Sequence, residues 1–410
     1  MKKVVMLVLL WIFQLSIVHA QQTLNLSLEE AKKIALQNNP VYQMQRKNVD
    51  IQKGIYWAEM TPENPEISVE FEEVPRSKPY TSYGEKRLVF SQSLDFPTNY
   101  LLRHKLLKAE IQRQSFSLQE FERELIYQVK KAYFTVLMHQ GLVELAQQNQ
   151  KLSQDFFDRA RQSYELGESD RLTMLKAKVN LGEAQQKVRG AQKDLETAEA
   201  FLREVLGLKN RQIAKIVLTD SIPKELKAIS PEKLKPYLLN HPAIQAARSS
   251  RIASLNNKRL AYGGLLPQIS LSYFKQEIDK RNFWGGEIGL SFPLWFFGQK
   301  GRIQVAEAQL SSSNHFLGAE QLRLQREFNQ AIANLEKAAN EVLLYQTSLL
   351  NEAEEVFRIA QESYNVGEIG YLQFIDAQQT LIQTRAGYLQ SLRNYQIEIA
   401  HLIKLVGVEL

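Results

Sequence analysis

Four stretches of the chain alternate apolar and polar side chains with the period of two that marks a half-exposed strand. In 66–72, Ile67, Val69 and Phe71 point one way and Glu66, Ser68, Glu70 and Glu72 the other. In 268–273, Ile269, Leu271 and Tyr273 oppose Gln268, Ser270 and Ser272. Return strands over about 86–96 and 284–292 set Leu88, Phe90, Leu94 and Phe96, then Ile288, Leu290 and Phe292, on one side. Ser91, Ser93, Asp95, Glu287, Gly289 and Ser291 take the other side. Polar hairpin tips join each pair, with Lys78 to Gly84 in the first.

Between the strands the pattern is helical. Residues 98–222 and 294–410 contain no proline, and a proline inside a helix costs ~3 kcal/mol, so these stretches predict very long helices. In 301–366, Ile303, Ala306, Leu310, Leu317, Leu324, Phe328, Leu335, Val342, Leu349 and Val356 fall on a mostly three-four spacing. That is a coiled-coil seam, interrupted by Ser313 and Glu320. About 65 residues at 1.5 Å each make a rod of ~100 Å. A second such rod spans about 101–166, and each ends at a glycine, Gly167 or Gly367, where the chain reverses into a returning helix. Upstream, Ser27 with Glu30 forms a capping box opening a helical segment to Met60. Its counterpart runs from about Ser230 to Tyr262, and Pro40 and Pro242 mark breaks in the two.

These elements occur twice. Pro65-Glu-Ile67-Ser68-Val69 matches Pro267-Gln-Ile269-Ser270-Leu271, and Ser163-Tyr164-Glu-Leu166-Gly167-Glu168 matches Ser363-Tyr364-Asn-Val366-Gly367-Glu368. The expected organisation is one domain over 21–410 built from two repeats, about 27–207 and 230–407, with a linker at 208–229. Before it, Lys2 and Lys3, an apolar run from Val4 to Leu15, and Val18-His19-Ala20 make a secretory signal peptide with cleavage after Ala20.

Composition narrows the chemistry. Lys plus Arg number 51 against 45 Asp plus Glu, an excess of six without a basic, aromatic-laced cluster, so no nucleic-acid partner is expected. The absence of cysteine excludes disulfides, thiolate catalysis and cysteine metal sites. No phosphate loop, zinc-binding His-Glu-x-x-His or nucleophile elbow occurs, and His104, His139, His241, His315 and His401 are scattered without ligand spacing. Neither an enzyme nor a cofactor or metal site is expected. No later window holds eighteen consecutive apolar residues, so no transmembrane helix follows the signal.

Four amphipathic strands suit a membrane β-barrel, but a barrel needs at least eight, and an open sheet edge in lipid leaves backbone groups unbonded. Several chains must therefore combine. The lipid-facing residues are Ile67, Val69, Phe71, Leu88, Phe90, Ile269, Leu271, Tyr273, Ile288, Leu290 and Phe292. Tyr80, Tyr83, Phe96, Tyr100, Phe283, Trp284, Trp295, Phe296 and Phe297 supply an interfacial girdle.

This plan resembles the TolC family of outer-membrane efflux ducts. The resemblance rests on the signal peptide, the duplicated unit, the Tyr-x-x-Gly turns at Tyr164 and Tyr364, and the string Gly367-Glu-Ile-Gly-Tyr-Leu-Gln-Phe-Ile-Asp376. It implies an α+β membrane protein, a homotrimer with a twelve-stranded barrel in the outer membrane above a long α-helical barrel in the periplasm. It also implies two partners, a periplasmic adaptor protein and an inner-membrane pump. Family members constrict the pore entrance with acidic side chains three apart; the matching positions here are Gln373 and Asp376, with Thr173 and Lys176 in the first repeat, so only one acid is kept. Leu166, Gly167, Glu168, Val366, Gly367 and Glu368 match the turns that dock the adaptor. Within the family, Glu63 to Phe71 and Phe90 to Leu94 look most like the heavy-metal branch served by resistance-nodulation-division pumps. Multidrug efflux and one-step protein secretion share the plan, and a periplasmic coiled-coil scaffold is the alternative of another class.

Overall fold

The computed structural model describes residues 22–77, 79–209 and 213–409; the signal-peptide segment and Lys78 lie outside them. Strand β1 (Gln22–Leu26) leads into α1 (Leu28–Asn38), and after a corner α2 runs over Pro40–Met60. Ser27 and Glu30 form the expected capping box, the Ser27 N–H donating to Glu30 Oε2 at 2.8 Å. The corner has a local cause. Asn39 Oδ1 accepts from the N–H groups of Val41 and Tyr42, both at 3.0 Å, while Pro40 has no N–H to leave unpaired.

Strands β2 (Glu66–Glu72) and β3 (Glu85–Leu94) follow, then α3 (Pro97–Glu165), a turn, and α4 (Arg171–Leu206). The second half repeats the order: β4 (Ile213–Leu218), α5 (Pro231–Leu234) with a 3-10 continuation, α6 (Pro242–Gly263), β5 (Gln268–Ile278) and β6 (Arg281–Ser291). Next come α7 (Phe296–Leu344), a π turn (Tyr345–Leu349), α8 (Leu350–Asn365) and α9 (Tyr371–Val406). Among the described residues no helix is long and apolar enough to cross a membrane.

The strand patterns hold in space. β2, β3, β5 and β6 form one antiparallel sheet in that order, with Ile67 opposite Phe90, Phe90 opposite Tyr273, and Leu271 opposite Ile288. β5 and β6 are longer than the alternation suggested, because toward the hairpin tip Lys275, Glu277 and Asn282 fall on the apolar face while Phe274, Ile278 and Phe283 fall on the polar one.

Two features differ from expectation. The linker is not featureless: β4 lies within it and pairs in parallel with β1, adding a second, two-stranded sheet. β1 offers only Leu24 and Leu26 against Thr23 and Asn25, and β4 sets Ile216, Val217 and Leu218 in a row, so neither shows a sustained alternation. The seam also changes register. Ala306, Leu324, Phe328, Leu335 and Val342 are buried as expected, but beyond the π turn Ala353 and Ala360 take the inner face and Val356 is exposed.

The main core lies where the small sheet meets α1, α3, α4 and α9, around Leu26, Tyr133, Leu202, Ile216, Leu402 and Leu405. The Tyr133 hydroxyl sits 2.9 Å from Leu26 O and 2.8 Å from Asp220 Oδ2, which also accepts from Leu28 N–H at 2.9 Å. Burial, then the Asp220 carboxylate, raises the Tyr133 pKa. This clamp fastens β1 and the linker to the long helix. Tyr133→Phe is expected to destabilise the protein by ~1–2 kcal/mol, read as a lower urea midpoint, because a hydrogen bond to a carboxylate is lost, although Leu26 O keeps the Thr219 N–H and Asp220 Oδ2 the Leu28 N–H.

Above this belt α2 packs on α3, α3 on α6 and α6 on α7. Chain connectivity therefore puts α2 and α7 at the same lateral margins as the edge strands β2 and β6. Below it, α4 packs on α3, and α9 packs on both α3 and α8.

Candidate functional site

The sheet has two chemically distinct faces. Ile67, Val69, Phe71, Leu88, Phe90, Leu271, Tyr273, Ile288, Leu290 and Phe292 are all exposed in the single chain, and Ile269 is half-buried. Along β3 this apolar belt runs from Leu94 to Leu88, six steps of ~3.4 Å or about 20 Å. Lys86 and Lys275 end it near the hairpin tips, with Trp284, 78 % exposed, facing Lys275. The opposite face carries Glu66, Glu70, Glu72, Glu85 and Glu287 with Arg87 and Arg281.

That polar face holds a feature the alternation did not indicate. The Arg87 guanidinium stacks 3.9 Å above the Phe274 ring and stands 3.9 Å from Glu70. Phe274 in turn covers Gly285, where a Cβ would collide with the ring. Phe283 also lies on this face, so it does not join the girdle on the apolar side.

At the far end of the rods the two reversals have the same geometry. Gly167 and Gly367 take φ values of 78° and 80°, a left-handed conformation that glycine adopts without steric penalty. Glu168 N–H donates to Ser163 O at 2.8 Å and Glu368 N–H to Ser363 O at 2.9 Å, closing each helix with the same bond. Leu166 and Val366 project from the tips, 66 % and 72 % exposed. An aromatic cluster ties the rods together behind them: Phe156 stacks on Tyr371 at 4.9 Å and on Phe374 at 5.5 Å, and Tyr364 meets Phe374 at 5.2 Å.

The four candidate gate residues occupy the first two turns of α4 and α9. Asp376 is exposed, and among the described residues its carboxylate has neither an ion pair nor a hydrogen bond. Gln373 has a structural use, its Oε1 accepting from Gly370 N–H at 3.2 Å. In the first repeat Asp170 caps α4 by accepting from Thr173 N–H at 2.6 Å, a bond that lowers the Asp170 pKa. The next turn leaves Lys176 exposed. An open groove of about 420 Å³ between these helix starts is lined by Leu172, Leu175, Lys176, Val179, Tyr371 and Leu372. It brings Lys176 beside α9, which spacing along one repeat does not reveal. The Asp170 cap was legible as an Asp three residues before Thr173.

An apolar-sided sheet joined to long helical rods is the plan of an outer-membrane duct chain. The model of the outer membrane efflux protein family matches residues 33–208 and again 234–408, and the chain belongs to that family. It is 25% identical over 268 residues to the cobalt-zinc-cadmium resistance protein CzcC of Cupriavidus metallidurans, covering 64% of this chain and 62% of CzcC. The match thus spans less than two thirds of that relative's length. With the outer membrane efflux protein BepC of Brucella suis it shares 22% identity over 378 residues, 89% of this chain and 80% of BepC. Among solved structures, CusC superposes with a TM-score of 0.77 at 18% identity, over 94% of this chain and 93% of that one. The open-state MtrE channel of Neisseria gonorrhoeae does so with a TM-score of 0.75 at 17% identity, over 93% and 89% of the two chains. These structural likenesses carry the fold.

Proposed function

We propose that three copies of this outer-membrane efflux protein close into one passive duct, receiving cargo from a periplasmic adaptor and an inner-membrane pump of the resistance-nodulation-division type. The observation that carries this is the four-stranded sheet with an exposed apolar face and two open edges, β2 and β6. Such edges are tolerable in lipid only when another copy pairs with them. Three copies supply twelve strands. The helical margins support the same closure, because α2 exposes Val41, Met44, Ile51 and Ile55 and α7 exposes Val305, Phe316 and Leu322. The exposed tips at Leu166–Glu168 and Val366–Glu368 are the surfaces for the adaptor.

For the cargo we infer divalent heavy-metal cations. The likeness to CzcC, named for cobalt, zinc and cadmium resistance, supports this. So does the polar sheet face, where five glutamates outnumber two arginines and favour cations in a wet lumen. A deletion strain tested across divalent metals, lipophilic drugs and detergents decides it. Selective metal sensitivity is expected; drug sensitivity with normal metal tolerance would assign the duct to multidrug efflux.

A trimer also sets three Asp376 carboxylates around one axis at the periplasmic entrance. Asp376→Asn is expected to weaken block of pore current by divalent cations in planar bilayers. Unchanged block would remove Asp376 from the constriction.

A further inference from the structure

The polar face of the four-stranded sheet is ordered in rows. Glu66, Ser91, Ser272 and Glu287 stand side by side across the strands, two carboxylates without a cation. One row nearer the hairpin tips come Ser68, Val89, Phe274 and Gly285, all uncharged. The row after that holds Glu70, Arg87, Gln276 and Phe283, and Glu85 and Arg281 lie at the tips. Between the first carboxylate row and the tips, Arg87 is thus the one cation that the described strand residues place on this face.

Its position is set from outside its own row. The guanidinium sits 3.9 Å above the Phe274 ring, whereas 3.9 Å to Glu70 is too long for a hydrogen bond. Among the described residues Arg87 Nε, shielded from water, has no hydrogen-bond partner. Attraction to the ring face outweighs closure on the carboxylate, and the ring can lie there because Gly285 has no Cβ to meet it. The cation is thereby drawn back over the uncharged row of Phe274. That row is two residues, or ~7 Å, along the strands from the row of Glu66 and Glu287. A charge at that distance acts within the Debye length of ~8 Å at physiological salt.

We propose that Arg87, positioned by Phe274, is the specificity-determining residue of this face, opposing the cations that the neighbouring carboxylates attract. In three copies it makes a ring of fixed positive charge inside the barrel, and the row of Phe274 is where the lumen's preference for cations is limited. Its place in a lumen rests on the duct reading above; the effect of Arg87 on the local potential does not. In a pore too wide to strip water from ions, rings of charged side chains on the wall set ion preference.

The test uses a single thiol in this cysteine-free chain. Ser272→Cys lies in the carboxylate row, one row from Phe274, and is modified in detergent by a methanethiosulfonate carrying either a trimethylammonium or a sulfonate group. Adding Arg87→Gln should raise the ratio of cationic to anionic rates about threefold at ~0.1 M salt, and leave it unmoved at ~1 M, where the Debye length is ~3 Å. Phe274→Leu keeps the charge but frees the guanidinium to close on Glu70, and should move the ratio in the same direction. An unchanged ratio with Arg87→Gln would overturn the proposal, and an unchanged ratio with Phe274→Leu would remove Phe274 as the positioning residue. In planar bilayers Arg87→Gln should raise cation over anion permeability about twofold, and Arg281→Gln, the same charge change at the tip, less. Equal shifts would mean that net charge alone counts, and would overturn the assignment to this row. A parent without current whose thiol ratio still answers to Arg87→Gln would sink the duct and keep Arg87 as the source of the local potential.

Discussion

Leu271→Arg should destabilise the membrane-inserted protein by ~2–4 kcal/mol and strip it from the outer membrane, whereas Ser272→Arg one residue along should be assembled normally. Leu271 lies in the exposed apolar belt, opposite Ile288 on β6 and Gln92 on β3. A guanidinium at mid-depth on a lipid-facing site pays that penalty because it must shed water or thin the bilayer. Ser272 faces the other way, between Ser91 and Glu287, where a cation gains a carboxylate neighbour. Membrane fractionation followed by a gel shift of unheated trimer measures both variants. Equal tolerance of the two arginines would refute the assignment of faces, since both sit at the same depth on the same strand.

This pair also explains why the strands were readable. A one-residue slip exchanges every side chain between the apolar and the polar face, so selection for one face writes a clear alternation into Ile67 to Phe71 and Ile269 to Tyr273. Glycines at tight reversals were legible for a related reason, because positive φ at Gly167 and Gly367 admits few other residues. What escaped was non-local. β1 and β4 are partners separated by the whole first repeat, and neither carries a sustained alternation. The heptad through Leu349 and Val356 looked continuous, yet one inserted residue at the π turn moved the inner face to Ala353 and Ala360. Alanine is small enough to be buried or exposed, so these positions gave little contrast in hydropathy. The stacking of Arg87 on Phe274 escaped likewise: a phenylalanine on a wet face makes sense only once Gly285 is found beneath it.

The largest acid effect is expected from a residue that sequence spacing left without a role. His241 is 3 % exposed and caps α6, its Nδ1 accepting from Ala243 N–H at 3.1 Å. It stands where Asn39 caps α2 in the first repeat, and both precede a proline. The cap needs an unprotonated Nδ1. Burial, followed by the nearby cations Arg123, Arg323 and Lys404, brings the His241 pKa down to about 4. Glu120, Glu124 and Glu327 line the adjoining pocket but do not reverse this. Between pH 6.5 and 4 the unfolded chain therefore binds a proton at this site that the folded chain refuses, so stability falls as pH falls. A displacement from 6.5 to about 4 corresponds to ~3 kcal/mol. Burial raises the Glu120 pKa, which acts in the opposite sense, its contribution being lost as pH rises. His241→Asn keeps a capping oxygen and leaves Glu120 in place, so the difference between variant and parent isolates the imidazole. Urea midpoints measured from pH 7 to 4 should diverge steadily below pH 6.5, the asparagine variant holding its stability as the parent loses its own. Parallel curves down to pH 4 would mean that His241 takes up its proton while still folded, and that α6 does not depend on its Nδ1.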